Sequence, residues 1–345
     1  MKRQLFSLVI MILLAVSATA QKKFSVYAIG FYNQENLFDY IHDEGKDDYE
    51  FTPEGSYQWN EMKYKSKLQN MAQVLSEMGT DVLPNIGCAV IGLSEVENQR
   101  VMADLVTQPA LAQRGYKYVH IEGPDLRGID CAMLYNPRIF TVTGQKLIPY
   151  IYQRPEDNAR PTRGFLTVTG TMAGEEMGFI ICHWPSRSVG RELAAQQVKN
   201  IKDSLIYNNP AMNVIIMGDM NDNPTSKSVR EVLSAKSEQN EVESGDMYNP
   251  WYNILVRASF GTLRHRGKWA LFDQILLSPN LIGKTDAKYL GTLKFWKNQI
   301  FHRSYLFQED GRNRGELKRT TSDGVWLNGY SDHLPVIVYL TKEMY

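Results

Sequence analysis

Apolar runs of strand length recur along this chain, and several of them stop abruptly at an acid, an amide or a histidine. The clearest is "IIMGDMNDNP", Ile215 to Pro224, where the apolar residues end at Asp219 and Asn221 follows. The other runs are "KFSVYAIGFYN", "CAVIGLSE", "IDCAMLYN", "GFLTVTGTM", "MGFIICHW", "LFDQILLS" and "PVIVYL". All are rich in Val, Ile, Phe and Tyr and read as strands. Helical spacing lies between some of them. From Gln58 to Met78, residues Leu68, Met71, Leu75 and Met78 share one face, and Gly79 stops the helix. From Arg191 to Ile206, residues Leu193, Val198, Ile201 and Leu205 do the same. Strands come both as hairpin-like pairs, as in Gly164 to Trp184, and separated by helices. That mixture predicts an α/β sandwich with mixed sheets and outer helices, not a purely parallel sheet.

No internal repeat and no Pro/Gly/Ser linker divides the chain, so residues 21–345 are expected to form a single domain. Residues 284–330 are polar and basic with interleaved aromatics, and are expected to be a long loop or an insertion. Lys and Arg (38) balance Asp and Glu (38), which argues against a general attraction to nucleic-acid backbone and leaves a local basic cleft open. At the N-terminus, Lys2 and Arg3 precede "LFSLVIMILLAV" and a terminal Ala18-Thr19-Ala20. This pattern predicts a cleaved secretory signal over residues 1–20, Gln21 as the mature start, and an exported product, periplasmic or extracellular. The alternative, an uncleaved anchor, would need a span of about 20 apolar residues. No later run is long and apolar enough to cross a bilayer. The three cysteines, Cys88, Cys131 and Cys182, each sit in an apolar run and are expected to be buried free thiols. Their spacing suits no zinc site.

The polar residues at the ends of the apolar runs are suited to metal and phosphate chemistry. They are Asn33 and Glu35, Glu95, His183, Asp219 and Asn221, Asp273, and Asp332 with His333. Each alone has a bland explanation as a turn residue, a cap or a solvated acid. Repetition at strand ends is harder to explain that way, since strand ends along one sheet edge can converge on one cleft. Carboxylate and amide oxygens without a thiolate cluster select a hard cation, Mg²⁺ or Mn²⁺. A hard cation, a His–Asp pair and amide donors together suit attack of water on phosphorus.

Taken in order, these residues resemble the endonuclease/exonuclease/phosphatase superfamily, which includes DNase I, abasic-site endonucleases, inositol polyphosphate phosphatases and neutral sphingomyelinases. "GDMNDNP" and "SDHLP" are similar to its GD-x-N and SDH signatures, and "FDQILLS" resembles its third block. The likeness runs from "FYNQENLFD" to "SDHLPV", nearly the whole mature chain. It implies a DNase I-like, four-layer α/β/β/α sandwich. By the same resemblance Glu95 is the principal Mg²⁺ ligand, Asn33 holds water or a phosphate oxygen beside it, and Asp332 is a further metal-side carboxylate. Asp219 orients or deprotonates the attacking water, and Asn221 positions the phosphate. His333 is the essential histidine, and Asp273 fixes its tautomer. His183 helps the leaving oxygen, paired with an acid. Asp130 is that acid if its strand lies beside the His183 strand; otherwise it caps its own strand. Arg187 either contacts phosphate or makes a surface ion pair. Glu35 stands where several nucleases have Asp, which leaves its role as a ligand open. Residues 295–319 either hold nucleic acid by stacking and phosphate contacts or form a surface insertion. The implied activity is phosphodiester hydrolysis, with nucleic acid as the first expectation and lipid or inositol phosphates as the alternative. A non-catalytic binding module is a third reading, and a monomer is the expected form.

Overall fold

The computed structural model describes residues 23–152, 161–186, 190–265, 267–283, 291–311, 313–322 and 324–344. The expected signal segment and Arg187 lie outside these described residues. Seventeen strands are described: β1 (Lys23–Leu37), β2 (Val90–Val96), β3 (Lys117–His120), β4 (Asp130–Tyr135), β5 (Phe140–Ile148), β6 (Phe165–Met172), β7 (Glu175–His183), β8 (Asn213–Asp219) and β9 (Ala235–Lys236) come first. They continue with β10 (Met247–Tyr248), β11 (Leu263–His265), β12 (Lys268–Ala270), β13 (Asp273–Leu277), β14 (Lys294–Ile300), β15 (Thr321–Ser322), β16 (Val325–Trp326) and β17 (Val336–Met344). The principal helices are α1 (Glu61–Glu77), α2 (Gln99–Val106) and α3 (Arg191–Asn208).

Among the described residues, one sheet has the order β14-β17-β1-β2-β4-β3 and a second the order β5-β6-β7-β8-β13-β10-β9. Both are mixed. The pairs β1/β2 and β7/β8 are parallel, while β1/β17 and β8/β13 are antiparallel. A parallel pair needs a long crossover, and α1 and α3 supply the two. Asn60 caps α1 by accepting from the Lys63 N–H (3.1 Å). Its Leu68, Met71 and Leu75 are buried as the spacing predicts, and Gly79 follows the helix at φ +80°. α3 buries Val198 and Ile201 against the second sheet.

The alternation along β8 explains why it is buried on both faces. Ile215 and Met217 enter the core between the sheets, and Val214 and Ile216 join the core under α3. Burying each such side chain contributes roughly 1.5–3 kcal/mol. The sheets approach closely at Gly92, where a Cβ would lie 2.5 Å from Met217 Sδ. Helices outside two face-to-face sheets give the expected four layers. The three cysteines are free and buried.

The described residues of 284–330 are part strand and part irregular. Residues 294–300 form β14, the edge strand that pairs with β17, and β15 and β16 make a small ribbon. β14 is a half-buried edge strand, whose outer side chains remain in water, and the polar residues 301–311 and 313–320 that follow it are mostly irregular. In the stretch "NPWYNILV", Trp251 is fully buried and its Nε1–H donates to the Ile275 carbonyl (2.9 Å), while Val256 is exposed.

Candidate active site

Strand directions bring the predicted residues to one rim. The parallel pairs place the C-terminal ends of β1, β2, β7 and β8 together. The antiparallel β13 and β17 bring their N-terminal ends to the same place. His183 and Asp273 are both register partners of Asp219, one on each side of it. The strands there are irregular. The β1/β2 register shifts between Asn33 and Leu37, and the β2/β4 register between Ser94 and Val96. At these bulges Glu35 (φ +46°), Asn36 (+53°) and Glu95 (+60°) take left-handed conformations, as does Asn221 (+47°) after β8. Bulges re-aim side chains, and strained backbone of this kind gathers at functional sites.

The side chains form one network. Asn33 Nδ2 donates to Glu95 Oε1 (3.3 Å) and to Asp219 Oδ2 (3.1 Å). Glu95 Oε2 accepts from the Asn36 N–H (2.9 Å). Asp219 Oδ1 accepts from the Asn221 N–H (2.8 Å), and Asn221 Nδ2 donates to the Trp184 carbonyl (2.9 Å). Two imidazoles flank Asp219 Oδ2: His183 Nε2 at 3.6 Å and His333 Nε2 at 3.9 Å. His183 Nε2 is also 3.8 Å from Glu95 Oε1. His333 Nδ1 and Asp273 Oδ2 are 2.7 Å apart, and Asp332 Oδ1 lies 3.9 Å from His333 Nε2. Ser331 ties two strand ends together by donating to the Asn33 carbonyl (2.8 Å) and accepting from the His333 N–H (3.1 Å).

The two histidines are held in opposite states. Burial alone would hold the His333 imidazolium down, but Asp273, with Asp219 and Asp332, raises it well above the ordinary value. Burial, then Arg163, Arg127 and His333, hold His183 well below it. Burial pushes Asp219 up to about 7, with His333 opposing and Asp273 and Glu95 adding.

One pairing differs from expectation. Asp130 does not partner His183, because β4 lies in the first sheet and β7 in the second. The Asp130 carboxylate accepts from the Gly123 N–H (3.0 Å), and its Oδ2 is 3.3 Å from His120 Nε2. What holds the His183 strand end is Arg163, which donates to the His183 carbonyl (3.0 Å), the Trp184 carbonyl (3.2 Å) and Asp125 (3.3 Å). Arg319 is also new: its Nε donates to Glu35 (2.8 Å) and its Nη2 to Asp332 (2.9 Å). Lys67, buried in α1, donates to Thr320 Oγ1 and the Tyr330 carbonyl. No motif announces Arg163, Lys67 or Arg319. Ser331 could have been found, since it opens the "SDH" triplet.

Residues Glu95, His183 and Asp219 have one ligand atom each within 4.8 Å of one another, and so do Asp219, Asp273 and His333. Among the described residues no Lys or Arg pairs with Glu95. An oxygen-rich donor set left short of positive charge fits a hard divalent cation.

A two-sheet α/β sandwich with carboxylates, amides and imidazoles on one rim defines a hydrolase of phosphoesters. Residues 28–342 match the model of the Endonuclease/Exonuclease/phosphatase family, and the chain belongs to that family, whose members generally depend on divalent metal. Solved structures share the fold at low identity. A family protein from Bacteroides thetaiotaomicron is 15% identical with a TM-score of 0.56, over 94% of this chain and 100% of that one. A mannosyl-6-phosphatase from the same organism is 15% identical with a TM-score of 0.54, over 91% and 99%. D. rerio TDP2, solved with a single-strand DNA product, is 13% identical with a TM-score of 0.53, over 92% and 99%. Comparison with curated proteins finds none that matches.

Proposed function

We propose that this chain hydrolyses phosphodiester bonds with the help of Mg²⁺ or Mn²⁺, with nucleic acid as the favoured substrate class. The observation that carries the reading is the placement of Asp219 Oδ2 between His183 Nε2 (3.6 Å) and His333 Nε2 (3.9 Å). A carboxylate in that position can orient or deprotonate a water. The charged His333 can stabilise negative charge on the phosphate, and the uncharged His183 can hydrogen-bond to the leaving oxygen. Asn33 fixes the Glu95 and Asp219 carboxylates relative to each other, and Asp273 fixes the His333 ring. Asn221 holds the 184 carbonyl and so the end of β7. Glu95, with Asn33 bridging it to Asp219, would hold the divalent ion, which when bound would supply positive charge to the phosphate oxygens; Asp332, expected as a further ligand, is ion-paired to Arg319 and is left out of this ligand set. The TDP2 structure with a DNA product supports the nucleic-acid choice by likeness of fold. A second reading, hydrolysis of sugar, lipid or inositol phosphates, is favoured by the charge balance and by the acids Glu95 and Asp332 at the open side of the site. Residues 1–20 read as a signal, so the enzyme would act outside the cytoplasm, as a monomer.

The test is a panel of duplex DNA, single-stranded DNA, RNA, sphingomyelin, inositol phosphates and sugar phosphates, assayed with Mg²⁺ on the wild type and Asp219→Asn. The expected result is cleavage of a nucleic acid, lowered about 10²-fold or more in the variant. Equal turnover by folded Asp219→Asn would refute the mechanism. Cleavage of sphingomyelin, inositol phosphates or sugar phosphates without cleavage of any nucleic acid would select the second reading.

A further inference from the structure

Glu35 and Asp332 are two carboxylates already shared by one cation. Arg319 reaches Glu35 Oε1 through Nε (2.8 Å) and Asp332 Oδ2 through Nη2 (2.9 Å). The other Asp332 oxygen faces His333, so this cation is one carboxylate away from the reacting groups. Glu35 is 4% exposed, and its Oε2 accepts from the Thr320 N–H (2.7 Å). A buried acid in that position needs a fixed positive neighbour. The Arg319 side chain is 42% exposed, and its hydrogen bonds to described residues run through Nε and Nη2, leaving Nη1 unused among them. Glu95 is the opposite case: it carries no ion pair to Lys or Arg among the described residues.

We propose that Arg319 is the second cation of this site. It neutralises Glu35 and Asp332 where a second divalent ion would otherwise bind. The site therefore takes one divalent ion, at Glu95, and Nη1 of Arg319 is left to meet an oxygen of the substrate phosphate. The proposal rests on the phosphoesterase reading above. It makes a distinct statement about that site: one metal, and one permanent charge that no chelator removes. A guanidinium suits this place better than an ammonium, because its planar fork serves two carboxylates and keeps a donor in reserve.

The experiment counts ions rather than turnovers. Mn²⁺ is titrated into the full chain and the free ion is read by electron paramagnetic resonance. In parallel, inorganic phosphate is titrated calorimetrically with Mg²⁺ present. The wild type should bind one Mn²⁺, and Glu95→Gln should weaken it tenfold or more. Arg319→Ala should gain a second, weaker Mn²⁺ and bind phosphate at least tenfold less well. Arg319→Ala with Glu35→Gln should return to one Mn²⁺ without regaining phosphate affinity. Arg319→Lys should recover part of the phosphate affinity. Circular dichroism checks folding. If Arg319→Ala does not fold, the double variant, which buries no unpaired charge, decides the phosphate part and the wild-type count decides the metal part. Two Mn²⁺ in the wild type would overturn the proposal, as would unchanged counts and phosphate affinity without Arg319. A wild type that binds no Mn²⁺ would refute the phosphoesterase reading itself. Single Mn²⁺ binding that is indifferent to Glu95→Gln would move the metal elsewhere and refute the one-place assignment.

Discussion

Replacing Asp273 by Asn removes one charge from a fully buried pair and leaves the residue's shape. Nδ1 of His333 and Oδ2 of Asp273 are 2.7 Å apart, so the charge centres are separated by about 4 Å, and at an effective dielectric of 20 their attraction is about 4 kcal/mol. That attraction is what holds the buried imidazolium in its charged form. Without it, burial should bring His333 down to its ordinary range or below. The basic limb of the kcat/KM profile should then move to lower pH, and the loss at pH 8 should exceed that at pH 6 by tenfold or more. For stability, the folded His333 value is raised above the unfolded one. Its contribution is therefore fully present below about pH 6.5 and is lost as pH rises through the raised value. The stability deficit of Asp273→Asn should accordingly be largest at low pH. His333→Ala strands a buried carboxylate and should cost about 3–5 kcal/mol of stability together with nearly all activity. The double variant His333→Ala with Asp273→Asn should regain part of the stability and none of the activity. The assay is a double-mutant cycle on kcat/KM at saturating Mg²⁺, with urea unfolding for stability. Additive activity losses, an unmoved basic limb, or a double variant less stable than His333→Ala would refute the dyad.

Activity should disappear with chelator and return with Mg²⁺ or Mn²⁺, and Glu95→Gln should need at least tenfold more metal for half-activity, read from a metal titration at fixed substrate. Glu97, buried behind the site, is pushed up to about 9 by burial and then by Asp39, and the nearby Asp43 and Asp48 add to it. It takes up a proton on folding, so its contribution is present below the unfolded value and lost as pH rises through about 9. Glu97→Gln, neutral throughout, should match the wild type at pH 5 in urea unfolding and be more stable by at least about 1 kcal/mol at pH 8; an equal difference at both pH values would refute the assignment.

The strand ends were legible before any coordinates. "GDMNDNP", "FDQILLS" and "SDHLP" place Asp219, Asp273 and His333 at the limits of apolar runs, and that is where the strands end or begin. The helices were legible too, because Leu68, Met71 and Leu75 recur at the helical period and one face of α1 must be buried. Both signals are local: a side-chain period and a turn residue within a few positions of each other.

Strand order is not local, and Asp130 shows the consequence. Its sequence fixes it at the start of a strand but does not say which sheet receives that strand. The tertiary structure puts β4 beside β2 and β3, and Asp130 meets His120 instead of His183. Arg319 is the converse case. It stands 284 residues from Glu35 in an unremarkable polar stretch, yet it closes an ion pair at the rim. An ion pair needs only proximity and opposite charge, so any of the chain's 38 basic residues could have supplied it. The sequence by itself determined which atoms are available at the strand ends and what chemistry they suit. Only the folded chain decided which atoms share a charge, because that depends on distances between segments that no short pattern encodes.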